Sequence, residues 1–358
     1  MEWLTNIYNY IKVNILGLEP ENNVKRSTVS SAKKPLFKGK KTEVRPNEIR
    51  MMPDISDEQL QTKKVRSRYI LTVKNPNHKV QKNENPDIIA KKYGITTRAL
   101  LAANNLTEET AQNIRIGQVL KVPPSRKVRN VNNITDIAKA MGVSVDFIKK
   151  LKKAEDSANL PMNSFHNTPY RDDNGVKTIG IGHRFLPGDK ARLTNAEVCT
   201  LCAKDLLNVE ENLVALLGGQ KYYDRIPQSL KEGVLDLTFN KGVINDESFK
   251  SLIYCLKNCK WEAAINKLTY NKSIKTKKEM SGLSKRRLLD ISLATKMYGR
   301  RIPQSNINTA QKVYNRGVAL LRQECQAKGL NFANHIAGYN REVQSYFGNR
   351  LKLKLITK

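Results

Sequence analysis

The feature that most constrains this chain is the run TPYRDDNGVKTIGIGHRF, residues 168–185. Two short extended pieces flank Asn174-Gly175, a dipeptide that favours the tight turn of a two-stranded hairpin. Gly180 and Gly182 leave the second strand bare at two positions, so that another element can approach it closely. Just upstream, FIKKLKKAED has amphipathic helical spacing and places Glu155 near a helix end. A helix carboxylate is thus set towards a hairpin carboxylate, Asp172. The expected fold class is α+β, mostly helical with a small β-hairpin lobe.

Two carboxylates on opposite sides of a cleft suit glycosidic cleavage: one kept protonated to donate to the leaving oxygen, the other ionised to activate water. The pairing by itself is weak evidence, since most Glu and Asp in a chain of this charge are solvated surface groups. The surrounding residues separate the readings, because YRDDNGVKTIGIGH resembles, nearly residue for residue, the hairpin of the T-even phage lysozyme and its relatives in glycoside hydrolase family 24.

That resemblance implies a general acid at Glu155, a residue that positions and deprotonates water at Asp172, and a hydroxyl helping to hold the water at Thr178. It further implies hydrolysis with inversion of the β-1,4 bond between N-acetylmuramic acid and N-acetylglucosamine, without cofactor or metal. His183, a tempting acid or base, is expected instead to form a structural pair with Asp205. The resemblance runs to about Gly299. It points to Phe239, Asn240, Ser251 and Asn266 as substrate contacts and to Arg286 or Arg287 as a cation beside the acid. One departure stands out: the family sets its Glu and Asp closer together, and the extra length here falls within DSANLPMNSFHNTP. A surface loop tolerates such an insertion at small entropic cost. Asp156 is the nearest competitor to Glu155.

A second compact unit precedes this one. HKVQKNENPDIIAKKYGITTRALLAANNLTEETAQNIRIGQVLKVPPS has the pattern strand, helix, helix, strand and is bounded by Pro123-Pro124. Ile88, Ile89 and Tyr93 are expected to line the first helix, Gly94 to break it, and Leu100 and Leu101 to continue on the second. IAKKYGIT, LLAANNL and IRIGQVLKVP together resemble the LysM family, which implies binding of N-acetylglucosamine-containing glycan in a shallow groove between two loops. By position these loops contain Asn83, Glu84, Asn85, Pro86 and Asp87 on one side and Ile114, Arg115, Ile116 and Gly117 on the other. ITDIAKAMGVSVDFIKKL then echoes PDIIAKKYGITTRALL, Gly142 standing where Gly94 stood. Without flanking strands it reads as a helical connector whose second helix runs into the next domain.

The expected organisation is an amphipathic helix over 1–23, with Trp3, Ile7, Ile11 and Ile15 at helical spacing, then a basic extended arm or linker over 24–76. The LysM domain follows over 77–124, the connector over 125–144, the lysozyme domain over 145–300 and a basic helical extension over 301–358. The opening segment has neither the basic start nor the apolar run of a signal peptide or membrane span. Lys and Arg number 63 against 33 Asp and Glu, a net charge of +30, which calls for a polyanionic partner. Bacterial peptidoglycan and its anionic envelope meet that need. Nucleic acid is disfavoured by the absence of any finger, RNP or basic-zipper pattern.

Cys199 and Cys202 with Cys255 and Cys259 have the number for a zinc site, but all lie in helix-like segments without knuckle turns, so buried thiols are expected. The odd fifth, Cys325, argues against a secreted disulfide scaffold. The surplus of basic ends favours a phage virion protein, in the tail or injection apparatus, acting in the host periplasm and cell wall and contacting other virion proteins through those ends. The alternatives are an endolysin held in the host cytoplasm until lysis, and a non-catalytic glycan-binding component of a particle.

Overall fold

The computed structural model describes residues 57–156, 160–172, 175–242, 247–270 and 279–357. The expected amphipathic helix over 1–23 and the arm up to residue 56 lie outside them. Residues 57–76, expected as extended linker, instead form helix α1 (Asp57–Arg66) and strand β1 (Ile70–Val73). The reason is in the side chains: Ile70 enters the main apolar core, and Arg66 donates to Glu210 at 2.9 Å.

The small βααβ fold comprises β2 (His78–Lys79), α2 (Pro86–Tyr93), α3 (Thr97–Ala103), a 3-10 turn (Thr110–Asn113) and β3 (Val119–Leu120), with β2 and β3 antiparallel. Asn85 caps α2 by accepting from the Ile88 N–H, and Thr96 caps α3 through the Ala99 N–H. Gly94 ends α2 in the left-handed region at φ 64°. Its own core is small: Val80, Ile89, Ala90, Ile95, Leu100, Leu120 and Val122. Ile88, expected on the inner face, is 48% exposed, because Ile89 beside it takes the buried position.

Strand β4 (Ser125–Val128) returns to pair with β1 over four residues, Ile70 opposite Val128 and Val73 opposite Ser125. Helices α4 (Ile134–Met141) and α5 (Val145–Glu155) repeat the α2–α3 design in detail. Asn133 and Ser144 cap them as Asn85 and Thr96 do, and Gly142 breaks the pair at φ 62°. Here, however, the buried faces join the main core through Ile137, Phe147, Ile148 and Leu151. The expected connector is therefore part of the larger body.

A three-stranded antiparallel sheet follows, β5 (His166–Arg171), β6 (Lys177–Gly180) and β7 (His183–Arg184), with Tyr170 opposite Thr178 and Ile179 opposite His183. The remainder is helical: α6 (Asn195–Leu217), α7 (Gln220–Asp224), α8 (Gln228–Lys241), α9 (Glu247–Lys257), α10 (Trp261–Ile265), α11 (Ser281–Ala294), α12 (Gln304–Ala327) and α13 (Phe332–Phe347). The basic C-terminal segment is no loose appendage. Ala310, Tyr314, Val318, Ile336, Val343 and Phe347 are buried in the same core as α11, and Tyr314 ties Asn340 and the Ile356 N–H together at 2.8 and 2.7 Å. Cys199, Cys202, Cys255 and Cys325 are buried free thiols and Cys259 is half-buried. Among the described residues, no helix is long and apolar enough to cross a membrane.

Candidate active site and glycan groove

Glu155 is the last residue of α5, where the chain leaves the helix and the side chain can reach out of the helix bundle. Its Oε1 lies 2.6 Å from Arg286 Nη1, and the side chain keeps 18% exposure. Against its other side runs Gly182 at φ 71°: a Cβ there would stand 2.7 Å from Glu155 Oε2. Any side chain at 182 would displace the carboxylate, so the second glycine of GIGH is a requirement of the position Glu155 holds. The Tyr170 hydroxyl donates to the Glu155 carbonyl at 3.4 Å and fixes the hairpin against the helix end.

Of the two expected arginines, Arg286 is the one beside Glu155. It does not stand alone, because its Nε and Nη2 also donate to Asp236 at 2.8 and 3.0 Å in a bidentate pair. Burial alone would raise the Asp236 carboxyl; Arg286 outweighs it and holds Asp236 ionised, below the usual carboxylate range. Arg287 is turned inward, Nε 2.9 Å from Asp290 and Nη2 donating to Asn240 at 3.3 Å. Burial pushes the Asp290 carboxyl well above its ordinary value, with Arg287 opposing. Two of the N–H groups of Arg286 are engaged by Asp236, and a third faces Glu155. Lys241, 6% exposed, closes this group; burial and the two arginines lower its ammonium to about 8, with Glu155 opposing.

Asp172 sits at the hairpin mouth. Its Oδ1 accepts the Val176 N–H at 2.7 Å, and its backbone N–H donates to Val176 O at 3.0 Å. Thr178 is buried between Tyr170 and Arg184 in the sheet and donates to Val176 O at 3.1 Å. Hence Asp172 and Thr178 share one hairpin, which Gly182 brings to Glu155. Asp156, the competitor, is occupied: Oδ2 accepts Lys152 Nζ at 2.9 Å and the Leu160 N–H at 3.0 Å, and Oδ1 lies 3.1 Å from His166 Nε2. Burial would raise its carboxyl, but these partners hold it below its ordinary value. It fastens both ends of the inserted loop.

His183 Nδ1 lies 2.8 Å from Asp205 and Nε2 3.3 Å from Asp189. The Asp205 bond, opposed by burial and aided by Asp189, raises the imidazole above its usual range. Burial pushes Asp205 itself up.

The other sequence-expected contacts divide. Phe239 is half-buried at the edge of the core and Asn240 is held by Arg287. Ser251 is half-buried on α9. Asn266 is hydrogen-bonded to α12: its oxygen accepts from Asn306 and Thr309, both at 2.7 Å, and its amide donates to Ser305 at 3.2 Å. The C-terminal helix α12 has claimed it.

In the small fold, Asn83 adopts φ 65°, and Pro86 opens α2 behind the Asn85 cap. Asp87 accepts the Thr97 hydroxyl at 2.6 Å, tying the loop to α3. Glu84 anchors the loop: its Oε2 accepts from the Gln81 N–H at 2.8 Å and lies 2.6 Å from His78 Nε2. Across the groove, the Arg115 N–H donates to Gln118 at 3.0 Å, and the Gly117 N–H donates to Val80 O at 2.8 Å with φ 86°. Ile114 packs on the small core, whereas Ile116 is 71% exposed.

Residues missed by the sequence reading are Asp236, Lys241 and Asp189. Asp236 left a signal, as a lone charge between Leu235 and Leu237 in an otherwise apolar helix segment. Lys241 and Asp189 left none, their roles being set by neighbours distant in sequence.

Residues 161–289 match the phage lysozyme family and residues 78–123 the LysM domain family. Glu155 precedes the first of these segments, on the far side of the insertion; Asp172 and Thr178 lie within it. A solved structure of the active form of P1 phage endolysin Lyz is similar at 16% identity, with 48% of this chain and 99% of that chain covered and a TM-score of 0.38. No curated protein matches.

Proposed function

We propose that this chain, a lysozyme-type glycoside hydrolase carrying a LysM domain, is a muramidase that cleaves the β-1,4 bond between N-acetylmuramic acid and N-acetylglucosamine in peptidoglycan. The observation that carries the reading is the position of Glu155, at a helix end beside Arg286 and against Gly182 of the hairpin that bears Asp172 and Thr178. There it would act as the general acid towards a leaving oxygen. Asp172, at the hairpin mouth, would receive the proton of an attacking water that Thr178 helps to place, giving inversion. The LysM domain would hold the substrate strand through its two loops.

Purified peptidoglycan treated with the intact protein should release fragments ending in reducing N-acetylmuramic acid. Glu155→Gln and Asp172→Asn should each lower turnover by about 10²–10⁴-fold, the usual weight of an acid or base. Glycan binding without release, unchanged by either substitution, would make the chain a binding component instead.

Delivery from a phage particle is the finer reading we favour, supported by the net charge of +30 and the N-terminal segment that precedes both domains. The C-terminal extension no longer supports it, being part of the hydrolase core. Presence of the protein in purified intact particles is the expected result; its confinement to the infected-cell cytoplasm until lysis would make it an endolysin.

A further inference from the structure

The LysM fold does not hang from a linker. It leaves and re-enters the larger body through one two-stranded sheet, β1 paired with β4. Beneath that sheet Arg66 and Arg126 straddle Glu210, at 2.9 and 2.6 Å, and Arg126 reaches Glu211 at 3.1 Å. Glu210 has no exposure, and the two arginines overcome its burial to keep it ionised. Buried pairs of this kind are costly to break once made. In addition, α3 packs directly on the long helix α6, so the module has two separate attachments to the hydrolase.

This docking places a residue of α6 in a cavity beside the first of the two loops. A cavity of about 660 Å³, within the range of small-ligand sites, opens beside the Glu84–Asp87 loop. It is lined by Asn85, Asp87, Thr97, Arg98 and Gln112 of the small fold and, from α6, by Asn212. Asn212 is half-buried, and its side-chain amide makes no hydrogen bond among the described residues. A primary amide offers two donors and an acceptor, complementary to the carbonyl and N–H of a sugar acetamido group.

We propose that the glycan site is composite, with Asn212 of the hydrolase body binding an N-acetylglucosamine residue of the strand that the LysM loops hold. This rests on the LysM reading above and adds a residue outside that domain. Its consequence is geometric. A tethered module only raises local substrate concentration, whereas a site shared by both domains sets the bound strand at one fixed register relative to Glu155.

The test is calorimetric titration of the full chain with chitopentaose. The LysM-borne part of the binding is the part removed by Ile116→Asp, a change at an exposed position. Asn212→Ala should weaken that part by about 3–10-fold, the worth of one or two hydrogen bonds. Asn212→Trp, which fills the cavity, should abolish it, and a preserved thermal midpoint would show that each variant is folded. If Asn212→Ala leaves the Ile116-dependent binding unchanged, the groove belongs to the LysM domain alone and the inference is overturned while the LysM reading stands. If no Ile116-dependent binding exists, both fall.

Discussion

Around Glu155, the chain buries Arg286, Arg287, Asp236 and Asp290 between helices. The LysM fold encloses little besides apolar side chains, and its buried His78 serves to anchor one loop through Glu84. The two regions handle the same polymer in the proposed function, with opposite materials. A binding groove needs only a rigid outline and a few hydrogen-bonding groups, which backbone, caps and short side chains supply with little desolvation. Bond cleavage needs a carboxyl whose proton is neither lost nor locked. That requires charges fixed in a medium where each one, unpaired, costs several kcal/mol.

The sharpest way to break this comparison is Asp236→Asn. In the folded protein it would leave Arg286 buried without its bidentate partner, and breaking such a pair costs about 3–5 kcal/mol, measurable as a lower urea midpoint. It would also release the two N–H groups that hold the Arg286 guanidinium in place beside Glu155, so turnover in a variant that still folds should fall as well. Unchanged turnover in such a variant would show that Asp236 supports the structure without positioning the site. No single substitution in the LysM groove should match this stability loss.

How far the sequence could be read follows the same division. The hairpin, the LysM pattern and the helix–glycine–helix echo are local: turn chemistry, caps and helical spacing specify them within a few residues, and Asn133, Gly142 and Ser144 repeat Asn85, Gly94 and Thr96 in cap and break alike. The charge network around Glu155 is not local. Asp236 and Arg286 meet across 50 residues, and helix pairing alone brings them together. The partners of Asn266 lie equally far off, since the helix that binds it begins at Gln304. The linker reading of residues 57–76 failed because its basic composition hid Ile70 and Arg66, whose partners lie far along the chain.

An intermediate effect is expected at His183, which lies at the hairpin but serves stability. Asp205 and Asp189 raise its proton affinity in the folded state against the opposing pull of burial, so the native protein holds that proton more tightly than the unfolded chain. The resulting stabilisation is complete below the unfolded histidine value of about 6.5 and is lost as pH rises through the higher folded value. With a charged hydrogen bond worth about 1.5–3 kcal/mol, His183→Gln should lower the thermal midpoint most at about pH 5–6. The gap to the parent should narrow in alkaline solution. A gap of constant size would mean that His183 acts through packing and not through its charge.

The smallest expected effect tests the binding side of the comparison alone. Ile116 projects from the loop opposite Asn85 with 71% of its surface in solvent, so it contributes almost nothing to the core, and Ile116→Ala should leave the urea midpoint unchanged within error. An apolar side chain left this exposed at a groove rim is suited to the methyl of an acetamido group. Burying one methylene-sized group against the sugar is worth about 0.8 kcal/mol, or roughly fourfold in affinity. Retention on insoluble peptidoglycan should therefore fall by about that factor, while turnover of a short soluble fragment, which needs no anchoring, is unaffected. A drop in stability would place Ile116 in the small core after all. An unchanged retention would mean that no apolar contact at Ile116 holds the sugar and would count against the LysM groove itself.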